Sequence, residues 1–252
     1  MVGESRPLVV ILCGGLGTRI RSVIGETPKV LAEVNGLPFL VWQISYLYGL
    51  GFRDFHLALG YRADAVLSYI SSAPDKFENL KLEYTIEDRP LGTAGAVANV
   101  VRCNTGYIGD MLILNGDTFV FADFKSFIST WKARQENVGL LSCYSDDANR
   151  YGLLDISNKK QLNKFTEKTG ENKAGWINAG AYLITRESQA VLSSIEVGSL
   201  EYDFFENGVL GNVFIDCQNV PFLDIGTEET YWTASDFLKK HMTYFANNFM
   251  VD

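Results

Sequence analysis

The stretch Leu8-Val-Val-Ile-Leu-Cys-Gly-Gly-Leu-Gly-Thr-Arg19 decides the fold. Its first half is a short continuous apolar run rich in β-branched residues, which reads as a strand buried on both faces. Its second half is glycine-rich and ends on a cation. Glycines at the carboxyl end of a strand let backbone N–H groups approach an anion closely, and a following helix N-terminus adds its dipole. The junction has two echoes. Met111-Leu-Ile-Leu114 runs into Asn115-Gly-Asp-Thr118, and Phe222-Leu223 runs into Asp224-Ile-Gly226.

Outward from this stretch, strand patterns at Phe55–Leu59, Leu82–Ile86, Met111–Leu114 and Val138–Tyr144 alternate with helical ones. The helices are expected at Pro38–Leu47 (with Pro38 at the first helical position), Asp64–Ser71, Thr93–Val101 and Phe124–Gln135. That alternation predicts an α/β fold with a doubly wound, mainly parallel sheet. Beyond residue 150 the pattern is mixed: Gly152–Ile156, a polar stretch Lys159–Lys168, a strand-like Ala179–Thr185 and a helix near Arg186–Ser194. Glu228–Asp252 reads as one or two closing helices. With no repeat, low-complexity segment or linker, one domain over 1–252 is expected, divided into halves 1–145 and 146–252. The aromatic-rich end (Tyr231, Trp232, Phe237, Tyr244, Phe245, Phe249) reads as core, with a homodimer surface as the alternative.

Of the 252 residues, 47% are hydrophobic and 21% charged, the balance of a soluble globular protein and not of a disordered or collagenous one. The net charge of −8 argues against a nucleic-acid polymer as partner, which calls for a basic face. That charge is unevenly placed. Glu196–Asp236 holds nine acidic residues and no Lys or Arg, while the other 21 acidic residues nearly balance all 22 basic ones. A polyanion can therefore be met locally. No apolar run approaches the ~20 residues that span a bilayer, and Leu8–Cys13 is too short for a signal-peptide core. A cytoplasmic protein without a membrane partner is expected. The four cysteines are far apart, with no CxxC, and read as free thiols. Two histidines, His56 and His241, give poor support for triad or multi-His metal chemistry.

Arg19 and Lys29 would supply cations for a triphosphate. The glycine spacing is not GxGxxG and no GK[ST] is present, so neither a dinucleotide fingerprint nor a P-loop is supported. In Glu87-Asp-Arg-Pro-Leu-Gly-Thr-Ala-Gly95, Gly92 and Gly95 would let a flat base lie against the backbone. Glu87 would accept from the two adjacent donors of guanine, N1–H and N2–H₂. Asp117, at the carboxyl end of a buried strand, is placed where ligands bind in open α/β sheets, and Mg²⁺ favours one or two carboxylates plus substrate phosphates. Asp224, 107 residues further on, could share that ion. Lys168 could meet a second phosphate, and Asn178 with the Gly180 backbone could meet sugar hydroxyls.

Taken in order, Gly14-Gly-Leu-Gly-Thr-Arg19 with Pro28-Lys29, Pro90-Leu-Gly-Thr-Ala-Gly95, Asn115-Gly-Asp117, Glu167-Lys168, Asn178-Ala-Gly180 and Asp224-Ile-Gly226 resemble the sugar-1-phosphate nucleotidyltransferase family over nearly the whole chain. The wording Leu12-Cys-Gly-Gly-Leu-Gly-Thr-Arg-Ile-Arg-Ser-Val is most similar to D-glycero-D-manno-heptose 1-phosphate guanylyltransferases; Pro90–Gly95 after Glu87 is similar to mannose-1-phosphate guanylyltransferases too. The resemblance implies a Rossmann-like core and Mg²⁺-dependent transfer. It implies catalytic roles for Arg19, Lys29 and Asp117, with the metal on Asp117 and Asp224. Nucleotide contacts would come from Leu12, Gly14, Gly15, Gly17, Thr18, Glu87, Gly92 and Thr93. Gly152, Glu167, Lys168, Asn178 and Gly180 would bind the sugar phosphate. The expected reaction makes GDP-heptose and pyrophosphate from GTP and D-glycero-D-manno-heptose 1-phosphate, for surface polysaccharide biosynthesis. The alternatives are another sugar 1-phosphate or base (mannose 1-phosphate with GTP, or a UTP-using enzyme) and a non-catalytic nucleotide-sugar sensor.

Overall fold

The computed structural model describes residues 6–245 apart from 105, 108, 149–150, 152, 167–172 and 208–210. The first strands are β1 (Leu8–Cys13), β2 (Glu33–Val34), β3 (Leu37–Pro38), β4 (Asp54–Leu59), β5 (Lys81–Ile86), β6 (Met111–Asn115) and β7 (Thr118–Val120). They are followed by β8 (Val138–Ser145), β9 (Leu153–Ile156), β10 (Leu162–Thr166), β11 (Gly175–Ile184), β12 (Val213–Gln218) and β13 (Phe222–Asp224). The helices are α1 (Arg21–Ile24), α2 (Phe39–Gly49), α3 (Ala63–Ser72), α4 (Gly92–Cys103), α5 (Phe124–Arg134), α6 (Arg186–Leu192) and α7 (Glu228–Lys240). A π-helix covers Leu200–Glu206.

Seven strands form one sheet in the order β12-β8-β11-β6-β1-β4-β5. β1 is parallel to both β4 and β6, and β4 to β5; β11 alone runs antiparallel, between β6 and β8. The chain thus winds outward from β1 through β4 to β5, then returns to lay β6 on the other side of β1. That reversal opens a crevice at the carboxyl ends of β1 and β6, where α/β sheets bind ligands. The expected mixed, mainly parallel α/β sheet is what forms. Alternation along β1 sends Val9 and Ile11 into one core layer, and Leu8 and Val10 into the other.

Local chemistry sets the boundaries. Pro38 sits just outside α2, pairing within the β2–β3 hairpin, whose turn Asn35-Gly36 takes the positive φ at both residues that a two-residue hairpin needs. Asp123 caps α5 by accepting from the Ser126 N–H at 2.9 Å, and Thr227 with Thr230 forms a capping box on α7. Several elements differ from the sequence reading. The polar Lys159–Lys168 stretch contains β10, paired antiparallel with β9; β11 starts at Gly175 rather than Ala179; and β7, β12, β13 and the π-helix have no counterpart in it. Of the aromatic end, Phe237 stacks on Phe121 at 5.6 Å between ring centroids, whereas Trp232 is 63% exposed. Phe249 and the side chains of Tyr244 and Phe245 lie outside the described residues. Among the described residues no helix is long and apolar enough to cross a membrane.

Candidate active site

The carboxyl ends of β1, β4 and β5 meet around one carboxylate. Glu87, the residue after β5, donates its backbone N–H to Leu59 O at 2.9 Å, and its Oε2 accepts from the Leu91 N–H at 3.3 Å. Its Oε1 lies in a slot that only two glycines permit: a Cβ would fall 2.8 Å from it at Gly14 and 2.3 Å from it at Gly60. Burial raises the Glu87 carboxyl above the usual glutamate range. The carboxylate faces a cavity of about 340 Å³ at the switch point. Leu12, Gly14, Gly15, Lys29, Glu87, Gly92, Thr93 and Asp117 line it, together with Leu16, Val30, Pro90, Ala96, Asn115 and Gly116. One end is therefore walled by small and apolar groups around a carboxylate, as a base would require.

The other end carries the charges. Lys29 Nζ is 2.8 Å from Asp117 Oδ2. β13 runs antiparallel to β7 with Asp224 opposite Thr118, and the Ile225 N–H donates to Asp117 O at 2.9 Å. This short ladder brings Asp224 beside Asp117. Burial first, and the Asp117 charge second, raise the Asp224 carboxyl above the usual aspartate range; the Gly226 N–H, Lys29 and Arg19 act in the opposite direction. Arg19 lies against Gly226, where a Cβ would come 3.2 Å from its Nη2. Gly17, at φ +62°, turns the chain so that Thr18 and Arg19 open the helical turn that follows. Among the described residues no three metal-ligating side chains cluster. The donor set is two neighbouring carboxylates, one raised by burial and then by the charge of the other. That fits a hard divalent cation, which relieves the repulsion and takes its remaining ligands from phosphates and water.

The glycines of α4 have a reason that sequence did not show. A Cβ on Gly92 would fall 2.3 Å from Gly198 O, and one on Gly95 would fall 2.6 Å from Glu196 O. They admit the strap Glu196–Leu200, which bonds to Leu91, Thr93 and Ala94: Ala94 N–H to Gly198 O at 3.0 Å, Gly198 N–H to Leu91 O at 2.9 Å, Leu200 N–H to Thr93 Oγ1 at 2.8 Å.

Asn178 and Gly180 lie on β11, where the register shifts between Asn178 and Tyr182. Asn178 Oδ1 accepts from the Gly180 N–H at 2.9 Å, and its Nδ2 donates to Tyr182 Oη at 2.7 Å and to Glu201 Oε1 at 3.4 Å. Tyr182, fully buried, donates to Glu201 at 3.1 Å, and burial followed by the Glu201 charge pushes its phenol far up. The Asn178 amide is engaged inside the protein. Gly180, at φ +70°, leaves no room for a Cβ, which would stand 2.7 Å from Asn115 Nδ2. Gly152, Glu167 and Lys168 lie outside the described residues. Sequence reasoning missed Glu201, Tyr182 and Gly60. Gly60 had a signal, since it follows a buried strand as Gly14 does; Glu201 had none.

The fold and this site define a class. Residues 8–241 match the Nucleotidyl transferase family, and the chain belongs to it. It is 34% identical over 229 residues to the D-glycero-alpha-D-manno-heptose 1-phosphate guanylyltransferase of Campylobacter jejuni, covering 88% of this chain and 96% of that protein. It is 30% identical over 234 residues to the enzyme of the same name from Aneurinibacillus thermoaerophilus, covering 92% and 99%. Among solved structures, HddC from Yersinia pseudotuberculosis complexed with GMP-PN matches with a TM-score of 0.81 at 33% identity, over 92% of this chain and 99% of that one.

Proposed function

We propose that this nucleotidyltransferase makes GDP-heptose and pyrophosphate from GTP and D-glycero-D-manno-heptose 1-phosphate, with Mg²⁺, inside the cytoplasm and for surface polysaccharide. The observation that carries the reading is the polarity of one cavity. A partly buried carboxylate with no cation against it among the described residues stands at one end, and Lys29 and Asp117 line the other, with Asp224 and Arg19 close behind them. The names of the similar enzymes support the heptose over other sugars.

In this reading Glu87 accepts from guanine N1–H and N2–H₂, and the turn Gly14–Thr18 with Leu12, Gly92 and Thr93 wraps the nucleotide. Arg19 and Lys29 hold the β- and γ-phosphates, Lys29 exchanging its bond to Asp117 for one to the substrate. Asp117 and Asp224 would hold Mg²⁺, which supplies charge neutralisation at the α-phosphate and the departing pyrophosphate. The nucleophile needs no general base. A phosphate monoester has its second pKa near ~6, so the sugar phosphate oxygen is anionic at neutral pH. That oxygen bonds to the α-phosphorus as the bond to the β-phosphate oxygen breaks, and the protein contributes in-line placement and cations. Gly152, Glu167 and Lys168 would contact the sugar phosphate, with Asn178 and Gly180 shaping that side from within through the Gly180 N–H bond to Asn178 Oδ1, so that residues 1–145 bind the nucleotide and 146–252 the sugar phosphate within one domain.

The test is pyrophosphate release from each of the four nucleoside triphosphates against a panel of sugar 1-phosphates. GTP with the heptose 1-phosphate should give the highest kcat/KM. No release from any pair would overturn the enzyme reading, and a preference for UTP would overturn the role of Glu87.

A further inference from the structure

Helix α2 is buried from Phe39 through Leu47, and nearly all its residues are apolar. Gln43 is the exception that reaches outside its own helix: it is 5% exposed, and its Nε2 donates to Asn115 O at 2.9 Å and to Thr118 O at 2.7 Å. Ser45, the other buried polar residue there, only bonds back to Val41 O. Burying an amide in an apolar layer is costly unless its donors are used, so the arrangement is stable because both N–H groups find carbonyls.

Those two carbonyls bracket Gly116-Asp117. Two further bonds hold the same turn, the Gly116 N–H to Leu12 O at 3.0 Å and the Ile225 N–H to Asp117 O at 2.9 Å. Lys29 holds the Asp117 carboxylate and the Thr118 hydroxyl bonds Ala179 O, but it is the Gln43 side chain that holds the carbonyls on both sides of Gly116-Asp117. Its far end adds an independent observation. Gln43 Oε1 and Asn115 Oδ1 are both buried without a hydrogen-bond donor, and both residues line a cavity of about 20 Å³ together with Thr118 and Gly180.

We infer that Gln43 is a positioning residue for Asp117. It clamps the 115–118 turn from behind through the Asn115 and Thr118 carbonyls, and so fixes the carboxylate that Lys29 and the metal use. The inference rests on the reading of Asp117 as a metal ligand.

The test compares Gln43→Met, which keeps the volume without a donor, with Gln43→Asn, which is too short to reach both carbonyls, and with Asp117→Asn. Full-length proteins are loaded with a non-hydrolysable GTP analogue and titrated with Mn²⁺ by electron paramagnetic resonance, well below each variant's melting temperature. Removing a group that orients a metal ligand should weaken Mn²⁺ binding by ~10–100-fold. The analogue's affinity measured without metal should stay within about twofold, because Gln43 does not touch the cavity that holds the nucleotide. Either Gln43 variant serves if the other does not fold. Wild-type Mn²⁺ affinity in a folded Gln43 variant, with affinity lost in Asp117→Asn, would show that Gln43 only packs, and would overturn the inference. Unchanged Mn²⁺ affinity in Asp117→Asn would overturn the metal role of Asp117, and this inference with it.

Discussion

The two ends of the cavity treat a carboxylate in opposite ways. At one end Glu87 is partly buried and, among the described residues, has a single N–H donor and no ion pair, in a slot made by Gly14 and Gly60. At the other, Asp117 bonds Lys29 directly, and the raised carboxyl of Asp224 feels both Lys29 and Arg19. The difference teaches what each end awaits. A carboxylate with spare acceptor capacity and little solvent favours a ligand that brings donors. A carboxylate paired with a lysine, beside a second one raised by burial and by its neighbour's charge, favours an exchange in which a metal takes the carboxylates and phosphates take the cation.

The comparison breaks most visibly at the charged end. Asp117→Asn should lower kcat by ~100–1000-fold, since metal charge stabilisation supplies several kcal/mol of the barrier reduction, while nucleotide still binds by calorimetry. At the other end, Glu87→Gln removes a charged acceptor worth about 1.5–3 kcal/mol, so the kcat/KM preference for GTP over UTP should fall by ~10–100-fold with turnover of bound substrate nearly intact. The base end should also lose GTP affinity as pH falls through the raised Glu87 pKa, because a protonated carboxyl no longer accepts from both guanine donors. UTP binding should not share that dependence. KM for each nucleotide against pH separates the two.

Smaller effects sharpen the contrast between turns that touch ligand and turns that hold the fold. Gly180→Ala places a Cβ against Asn115 at φ +70° and should cost ~1–3 kcal/mol, read as a lower melting temperature. A Cβ on Gly15 meets nothing within 4 Å, so Gly15→Ala should leave the melting temperature unchanged and show itself only in nucleotide affinity. Least of all, buried His56 has no hydrogen bond to either ring nitrogen among the described residues, and burial lowers its pKa. The unfolded chain then takes up the proton first, so stability falls as pH drops below ~6.5. His56→Leu should flatten that acid limb in melting curves.

How much of this was legible varied with how local the signal is. β1, β4 and β6 announce themselves as apolar runs closed by Gly or Asn-Gly; Asp117 follows β6 and Glu87 follows β5 directly, and Arg19 closes the glycine turn after β1, so chain order alone placed these three near strand ends, whereas Lys29 lies in a later turn. β10 was hidden because it belongs to a two-stranded hairpin at the surface, where polar residues are as acceptable as apolar ones. β7 and β13 are three residues each, too short to carry a period. The strap that explains Gly92 and Gly95 comes from a segment about a hundred residues later, and nothing near those glycines points to it.

What the sequence determined by itself was the α/β winding, the family, and the residue types at the crevice, because hydrophobic periodicity and glycine at strand ends are short-range properties. What only the tertiary structure decided was who stands next to whom. Asp224 reaches Asp117 through a three-residue ladder, Gln43 reaches the Asp117 turn from a helix in the apolar layer, and Asn178 turns its amide inward to Tyr182 and Glu201. Each of these is a contact between segments distant along the chain, set by how whole elements pack, and no local pattern of residues encodes it.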